Sequence, residues 1–499
     1  MKILTAAQIR DWDAATIASQ GIPSLELMER ASAACTEWIV SRYSPETPFV
    51  IVCGTGNNGG DGLAITRQLL DRDYVAMAFV VMHTNGLAPD CMANLEALQA
   101  RSGPVTLLKD GDVITDLPEA VVVIDAIFGT GINRKVEGFA ADFITELNKL
   151  RNTRIAIDLP SGMPSDGPAA ADAVIVQAQH TLCFQQYKRS MLHPESAPFC
   201  GEIHLLPIGL EPSFPERAAA HWYTLDSALV ATLYRPRQSF THKGTFGTAL
   251  LIGGSYGLIG AILLAARAAG RAGAGKVRAL VPACGYSVLQ TAAPEAMCHT
   301  SGEHALQQLD GWDAASGIGV GPGMGTGEES AAALKTFLEA VGKPVVLDAD
   351  ALNMLASHPD WLELIPRNSI LTPHPRELER LFGASADSYA RADLARDAAI
   401  RHGLIIVAKD RHSIVALPDG RCYYNLRGNA GLATGGSGDV LCGMLAGLLA
   451  QGYSPEEAAL LGVYLHAVAG ELAAAKHGME AVLASDIVES IGAAYLAIA

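Results

Sequence analysis

Residues 49–62 read FVIVCGTGNNGGDG. Five apolar residues, Phe49 to Cys53, run without a polar break into a glycine turn, and a helix is expected from about Leu63. An unbroken apolar run of this length is what a strand buried on both faces of a parallel sheet requires. The order strand, turn, helix then recurs. Val75–Met82 is a second strand, Ala120–Ile124 ends at Asp125 and FGTG, and Arg154–Ile157 ends at Asp158 and LPSG. Alternating strands and helices of this kind predict an α/β architecture with helices on both faces of the sheet.

The rhythm breaks over residues 209–240, which carry several prolines and little periodicity. A second α/β pattern starts near His242, with Thr248–Ile252 leading to GGSYG, Gly317–Val320 to GPGMGTG, Val345–Leu347 to DADALN, Ile370–Leu371 to TPHPREL and Leu404–Ala408 to KDRHS. The expected organisation is a first domain over 1–211, a junction over 212–240 and a second domain over 241–499. Ligands in such sheets sit at the carboxyl ends of the strands, where nearly all of these motifs fall.

The chain has 499 residues, 49% hydrophobic and 18% charged, with a net charge of −16 and no basic block. A globular protein follows, and neither nucleic acid nor anionic membrane is an expected partner. Nine scattered cysteines, with no C-x-x-C and no Cys/His cluster at zinc spacing, point to a reducing compartment and a cytoplasmic location. No cleavable leader is recognisable at the start, and the apolar run Val440–Ala450 is too short to span a membrane.

Gly54, Gly56 and Gly59 match G-x-G-x-x-G after a strand. A NAD-dependent dehydrogenase also needs a carboxylate at the end of the second strand to hold the ribose hydroxyls, and that strand ends VVMHT. Asn57, Asn58 and Asp61 are bulky where a pyrophosphate cradle is lean, so the dehydrogenase reading is disfavoured. Three strand ends, NNGGD (57–61), DAIFGTG (125–131) and DLPSG (158–162), can instead converge on one site. Asn58, Asp125 and Ser161 offer hard oxygens to a small cation. Asp61 and Asp158 remain for acid/base work, unless these residues only cap helices and tie turns.

In the second domain residues 428–443 read GNAGLATGGSGDVLCG. Gly435, Gly436 and Gly438 leave backbone N–H groups uncovered at the start of an apolar helix, an arrangement that binds anions. A carboxylate there is repulsive to phosphate unless it takes a proton or holds a metal. The other reading of Asp439 is a helix cap. His374, fixed between two prolines, and the cations Lys243, Lys409 and Arg411 are further candidates. GRAGAGK (270–276) is followed by valine and preceded by helix, so it is no P-loop.

Taken together the motifs resemble those of the bifunctional NAD(P)H-hydrate repair enzymes. NNGGDG, DAIFGTG and DLPSG match the epimerase half. HKGTFG, GGSYGLIGA, GPGMG, LDADALN, LTPHPREL and ATGGSGDVL match, in order, the ADP-dependent (S)-NAD(P)H-hydrate dehydratase half. The resemblance implies two αβα-sandwich domains, an N-terminal Rossmann-like one and a C-terminal ribokinase-like one. It implies epimerisation of R and S hydrates of NADH and NADPH (NADHX, NADPHX), then dehydration of the S form with ADP to give AMP and phosphate. Asn57, Asn58, Gly59, Gly60, Asp61, Gly129, Thr130, Gly131, Ile132, Asn133, Arg134, Lys135 and Asp158 would contact the hydrate in the epimerase, with K+ on Asn58, Asp125 and Ser161. Ala261, Gly323, His374 and Asp439 would contact it in the dehydratase. Lys409, Asp410, Arg411, His412, Ser413 and Gly438 would contact ADP, which brings Mg2+. Asp158 and Asp439 are the expected catalytic residues, and a homo-oligomer is expected. Where members carry Lys-Gly this chain has Lys409-Asp410, an added negative charge beside the nucleotide. The alternative is a ribokinase-like small-molecule kinase fused to a Rossmann-like ligand-binding domain.

Overall fold

The computed structural model describes residues 1–132 and 134–498. They form two compact units, Lys2–Ala220 and His221–Ala499, the latter including Met1.

The first unit is built on seven parallel strands: β1 (Phe49–Cys53), β2 (Ala76–Val81), β3 (Val105–Leu108), β4 (Val122–Ala126), β5 (Arg154–Ile157), β6 (His180–Phe184) and β7 (Glu202–Leu206). Their order, β3-β2-β1-β4-β5-β6-β7, reverses beside β1 and sets a crevice at the carboxyl ends of β1 and β4. Residues of β1 alternate between two cores. Phe49, Ile51 and Cys53 pack with Trp38, Leu63 and Leu95, while Val50 and Val52 pack with Phe143, Ile144 and Leu147. Both faces are covered, which is why the strand shows no polar alternation.

The helix after β1 begins at Asn57, six residues before the start expected from sequence. The glycines responsible look like helix breakers but are required by packing. A Cβ at Gly59 would lie 1.9 Å from the Gly54 carbonyl oxygen, and one at Gly62 would lie 2.7 Å from Cys53 Sγ and Ala126 Cβ. They let the helix lie directly on the sheet, and that contact outweighs their poor helix propensity.

The second unit carries ten strands: β8 (Trp222–Leu225), β9 (Thr248–Ile252), β10 (Lys276–Val281), β11 (Ala296–Thr300), β12 (Gly317–Val320), β13 (Val346–Leu347), β14 (Ile370–Leu371), β15 (Ile405–Ala408), β16 (Ile414–Ala416) and β17 (Cys422–Asn425). The order is β11-β10-β9-β12-β13-β14-β15-β16-β17-β8. Only the β15–β16 and β16–β17 pairs are antiparallel. The stretch 212–240, expected as a junction, is therefore structured, with a short helix Phe214–Arg217 before β8. Trp222 and Tyr223 pair with Cys422 and Tyr423, and Tyr223 stacks on Tyr423 at 5.0 Å between ring centroids. Asp226 then caps the helix Ser227–Leu233. A four-residue strand beside prolines is too short to show a period in sequence.

Helices Ile259–Arg271, Ser437–Ala450, Pro455–His477 and Ala484–Leu496 pack together on one face of this sheet. Two of them approach closely because of glycine. A Cβ at Gly443 would lie 2.1 Å from the Ala265 carbonyl oxygen, and one at Gly447 would lie 2.8 Å from that of Ala269. The longest apolar helix is not Val440–Ala450 but Pro455–His477. Among the described residues it is the one helix long and apolar enough to cross a membrane, and most of it is buried inside the unit.

Candidate active sites

In the first unit a cavity of about 970 Å³ opens over the carboxyl ends of the strands. Asn57, Asn58 and Asp61 line it from the helix after β1, Gly129, Thr130, Gly131, Ile132, Arg134 and Lys135 from the loop after β4, and Asp158 from the end of β5. The three predicted turns do converge. Asn133 lies outside the described residues. Gly59 and Gly60 serve packing, since a Cβ at Gly60 would lie 2.8 Å from Met28 Sδ. Lys135 is ion-paired with Asp172.

Asp125, wholly buried at the end of β4, accepts hydrogen bonds from Ser161 Oγ at 2.6 Å, Ser161 N at 2.8 Å and Ile127 N at 3.2 Å. Burial pushes its carboxyl up to about 6, against those bonds. Asn58 is buried close by the loop, where a Cβ on Gly129 would lie 3.3 Å from its Oδ1, and its Nδ2 has no hydrogen-bond partner. The Asp125 carboxylate, the Ser161 hydroxyl and the Asn58 amide oxygen, set around one loop, offer hard oxygens of the kind a cation takes.

Asp158 holds a left-handed backbone (φ 64°) and accepts from Phe184 N at 3.2 Å. Its main partner was missed from sequence. Lys188, only 1% exposed, is ion-paired with Asp158 and donates to the Phe184 carbonyl oxygen at 3.1 Å. Burial opposes its charge, but Asp158 and Cys183 outweigh burial and lift the ammonium to about 12. Asp61 is buried and held well above the usual carboxylate range by burial and by Asp158, with the Ser32 hydroxyl 3.3 Å away. Asp13 also lines the cavity, from helix Ala6–Gln20. Lys188 follows a strand end, which was the available signal. Asp13 lies in a helix with no motif and gave none.

In the second unit the GGSGD turn opens helix Ser437–Ala450, whose N-cap is Gly436 at φ 92°. Asp439 is thus the third residue of the helix rather than its cap, beside first-turn amides that lack intrahelical acceptors. His466, buried on the next helix, lies 3.2 Å from Ser437 Oγ and 3.0 Å from its carbonyl oxygen and fixes the turn from behind. Burial and Asp348 push the Asp439 carboxyl up to about 7, partly offset by Lys409.

Lys409, a cation expected beside the nucleotide, lies 2.9 Å from Asp348 Oδ1, and Asp348 is 1% exposed. A Cβ on Gly438 would lie 3.2 Å from Lys409 Nζ and 3.5 Å from Asp348 Oδ2. Gly438, Lys409 and Asp348 therefore form one cluster. Asp348 heads the DADALN turn that sequence reading marked without assigning it a role. The added charge of Asp410 is met by Arg391 Nη1 at 3.2 Å. Arg411 donates to the Gly428 carbonyl oxygen at 3.0 Å, Ser413 Oγ to that of Asp410 at 3.4 Å, and His412 is held neutral, its imidazole pushed down to about 4 by burial and Arg411.

His374 caps helix Pro375–Phe382, its Nδ1 accepting from Arg376 N at 3.2 Å and Glu377 N at 3.3 Å. Burial, Lys409 and Arg380 lower its pKa, which places it near the same cluster. Gly323 (φ 60°) sits against Ala261, whose Cβ would be 3.1 Å from a Cβ at that glycine. Apart from these sites, β6 and β7 bring His180, Glu202 and His204 within 4.8 Å of one another at their amino ends, a cluster invisible as sequence spacing. Both imidazoles pack on Trp38.

Two family models match the chain, one described as YjeF-related protein N-terminus over residues 24–190 and one as NAD(P)H-hydrate dehydratase over residues 249–492. The bifunctional NAD(P)H-hydrate repair enzyme Nnr of Moorella thermoacetica is 35% identical, over 98% of this chain and 96% of that one. Its namesake in Escherichia coli is 33% identical, over 94% and 89%. A solved ADP/ATP-dependent NAD(P)H-hydrate dehydratase from Bacillus subtilis, co-crystallised with ATP/Mg2+, is 32% identical with a TM-score of 0.50, over 56% of this chain and 99% of that one.

Proposed function

This chain belongs to the family of bifunctional NAD(P)H-hydrate repair enzymes, and from that membership we infer how its two units divide the work. The protein repairs hydrated NADH and NADPH. The first unit interconverts the R and S hydrates, and the second dehydrates the S form with ADP, yielding NAD(P)H, AMP and phosphate. One observation carries the dehydratase reading. Asp439 stands in the first turn of a helix entered through the glycines of GGSG, and Gly438 of that turn lies against the Lys409–Asp348 pair.

Hydroxide leaves poorly, so the hydroxyl is first phosphorylated. Asp439 takes the hydroxyl proton as the oxygen attacks the terminal phosphorus of ADP. Amides of the Gly435–Gly438 turn stabilise the charge on the transferring group. Phosphate then departs with the C–O electron pair while the ring nitrogen's lone pair forms C=N, and loss of a ring proton restores the reduced nicotinamide. Where Mg2+ is bound with the nucleotide, it would supply charge neutralisation to the phosphates. Lys409, Asp410, Arg411, His412, Ser413 and Gly438 contact the nucleotide, and Ala261, Gly323, His374 and Asp439 the hydrate. In the epimerase Asn57–Asp61, Gly129–Lys135 and Asp158 contact the hydrate. Asn58, Asp125 and Ser161 would hold K+, which would steady the buried Asp125 carboxylate. The nine free cysteines agree with a cytoplasmic location.

The test supplies purified S hydrate, ADP and Mg2+ and follows the return of reduced-nicotinamide absorbance. Stoichiometric AMP and phosphate are expected. Absence of recovery, with phosphorylation of a small alcohol instead, would favour a kinase.

A further inference from the structure

Of the carboxyl groups lining the first cavity, two stand in opposite settings. Asp158 is fastened to Lys188, an ammonium removed from water that would be stranded without it. Asp13 lines the same cavity, half-buried, and among the described residues it has no hydrogen-bond or ion-pair partner. A carboxyl with no partner, lining the cavity that takes the substrate, is free to act on it.

We propose that Asp13 is the proton donor of the epimerisation, acting on the hydrate's hydroxyl in the cavity it lines together with Asp158; this rests on the epimerase reading of the first unit. Burial and the Asp158 charge push the Asp13 carboxyl up to about 7, with Lys188 offsetting part of the shift. Near neutral pH it is thus available in both forms, as a donor that must be reloaded each cycle requires. One carboxyl tied to an ammonium and one without a partner can divide the roles of base and acid.

The hydroxyl sits on a ring carbon bonded to the ring nitrogen. Asp13 gives its proton to the hydroxyl oxygen. The C–O bond breaks, water leaves with the electron pair, and the nitrogen lone pair forms C=N⁺. Water adds to the opposite face of that carbon, the C=N⁺ pair returns to nitrogen, and Asp158 takes the proton the incoming water releases. Exchange with solvent resets both carboxyls. No oxidant or co-reactant is consumed. Besides Asp158, the charged or titratable groups lining the cavity with Asp13 are Arg10, Asp61, His83, Arg134, Lys135, Glu137 and Lys188.

The experiment gives the full-length chain a mixture of R and S hydrates with excess ADP. Recovery then has a fast phase from the S form and a slower one limited by epimerisation. Asp13→Asn is expected to leave the fast phase unchanged and to slow the R phase about 100-fold or more, toward the spontaneous rate. The wild-type R phase should fall as pH rises through about 7, and Asp13→Glu should retain that limb at a displaced pH. An R phase within threefold of wild type in Asp13→Asn overturns the proposal and leaves the epimerase reading intact. Should neither variant fold, a wild-type R phase that is flat between about pH 6 and 9 overturns it, and a falling limb supports it. Failure of the wild type to process the R hydrate removes the epimerase reading and this proposal with it.

Discussion

Asp439 can be separated from a merely structural residue by charge. As the general base it must be ionised, and its carboxyl is held at about 7. About nine-tenths of it is ionised one pH unit above that value and about one-tenth one unit below, so S-phase turnover should fall roughly tenfold between pH 8 and pH 6. Asp439→Asn removes the base and should lower turnover by about 10²- to 10⁴-fold. It also deletes a negative charge from the nucleotide's neighbourhood, so ADP should bind as well as before or a few-fold better. Stability supplies an independent sign. A carboxyl whose pKa is raised on folding costs stability progressively as pH climbs from the unfolded value of about 4 to the folded value of about 7, and the penalty persists above that. The neutral asparagine escapes it, so Asp439→Asn should melt higher than wild type at pH 8. The assays are stopped-flow absorbance on pure S hydrate, calorimetric titration with ADP, and differential scanning calorimetry at pH 8. A melting point lowered together with activity would refute the reasoning and make Asp439 a residue that holds the helix.

Three further outcomes follow from single contacts. Lys188→Met leaves Asp158 buried without its counter-charge, which should destabilise the first unit by about 3–5 kcal/mol in urea melts and abolish the R phase. Gly443→Ala places a Cβ against the Ala265 carbonyl at 2.1 Å, so helix Ser437–Ala450 must shift; a loss of about 1–3 kcal/mol is expected in the second unit's calorimetric transition, with the first unit's unchanged. Asp410→Gly removes a charge that Arg391 already neutralises, so the ADP dissociation constant, measured by titration, should move by less than about threefold.

Much of this was legible because parallel strands write themselves as apolar runs and place chemistry at their carboxyl ends. NNGGD, DAIFGTG and DLPSG were each legible, and their convergence follows from strand order. Sequence lost what depends on partners distant along the chain. Lys409 was legible as a cation but its pairing was not, because Asp348, sixty-one residues earlier, is joined to it only by the sheet. Lys188 drew no reading, because its burial and its pairing with Asp158, thirty residues earlier, are set by the fold. The early start of helix Asn57–Leu70 was hidden because glycine signals a turn statistically, whereas here it permits contact between helix and sheet. The strand β8 was hidden by its length.

That strand also fixes where the second activity can be cut from the first. A fragment starting at 241 would lose β8 and lay open the backbone N–H and C=O row of β17, together with the rings of Tyr423 and Tyr424 that pack against Tyr223 and Trp222. An uncovered edge bearing aromatic residues recruits other strands, so such a fragment would self-associate. Expressed on its own, the dehydratase must carry its edge strand with it from His221 onward.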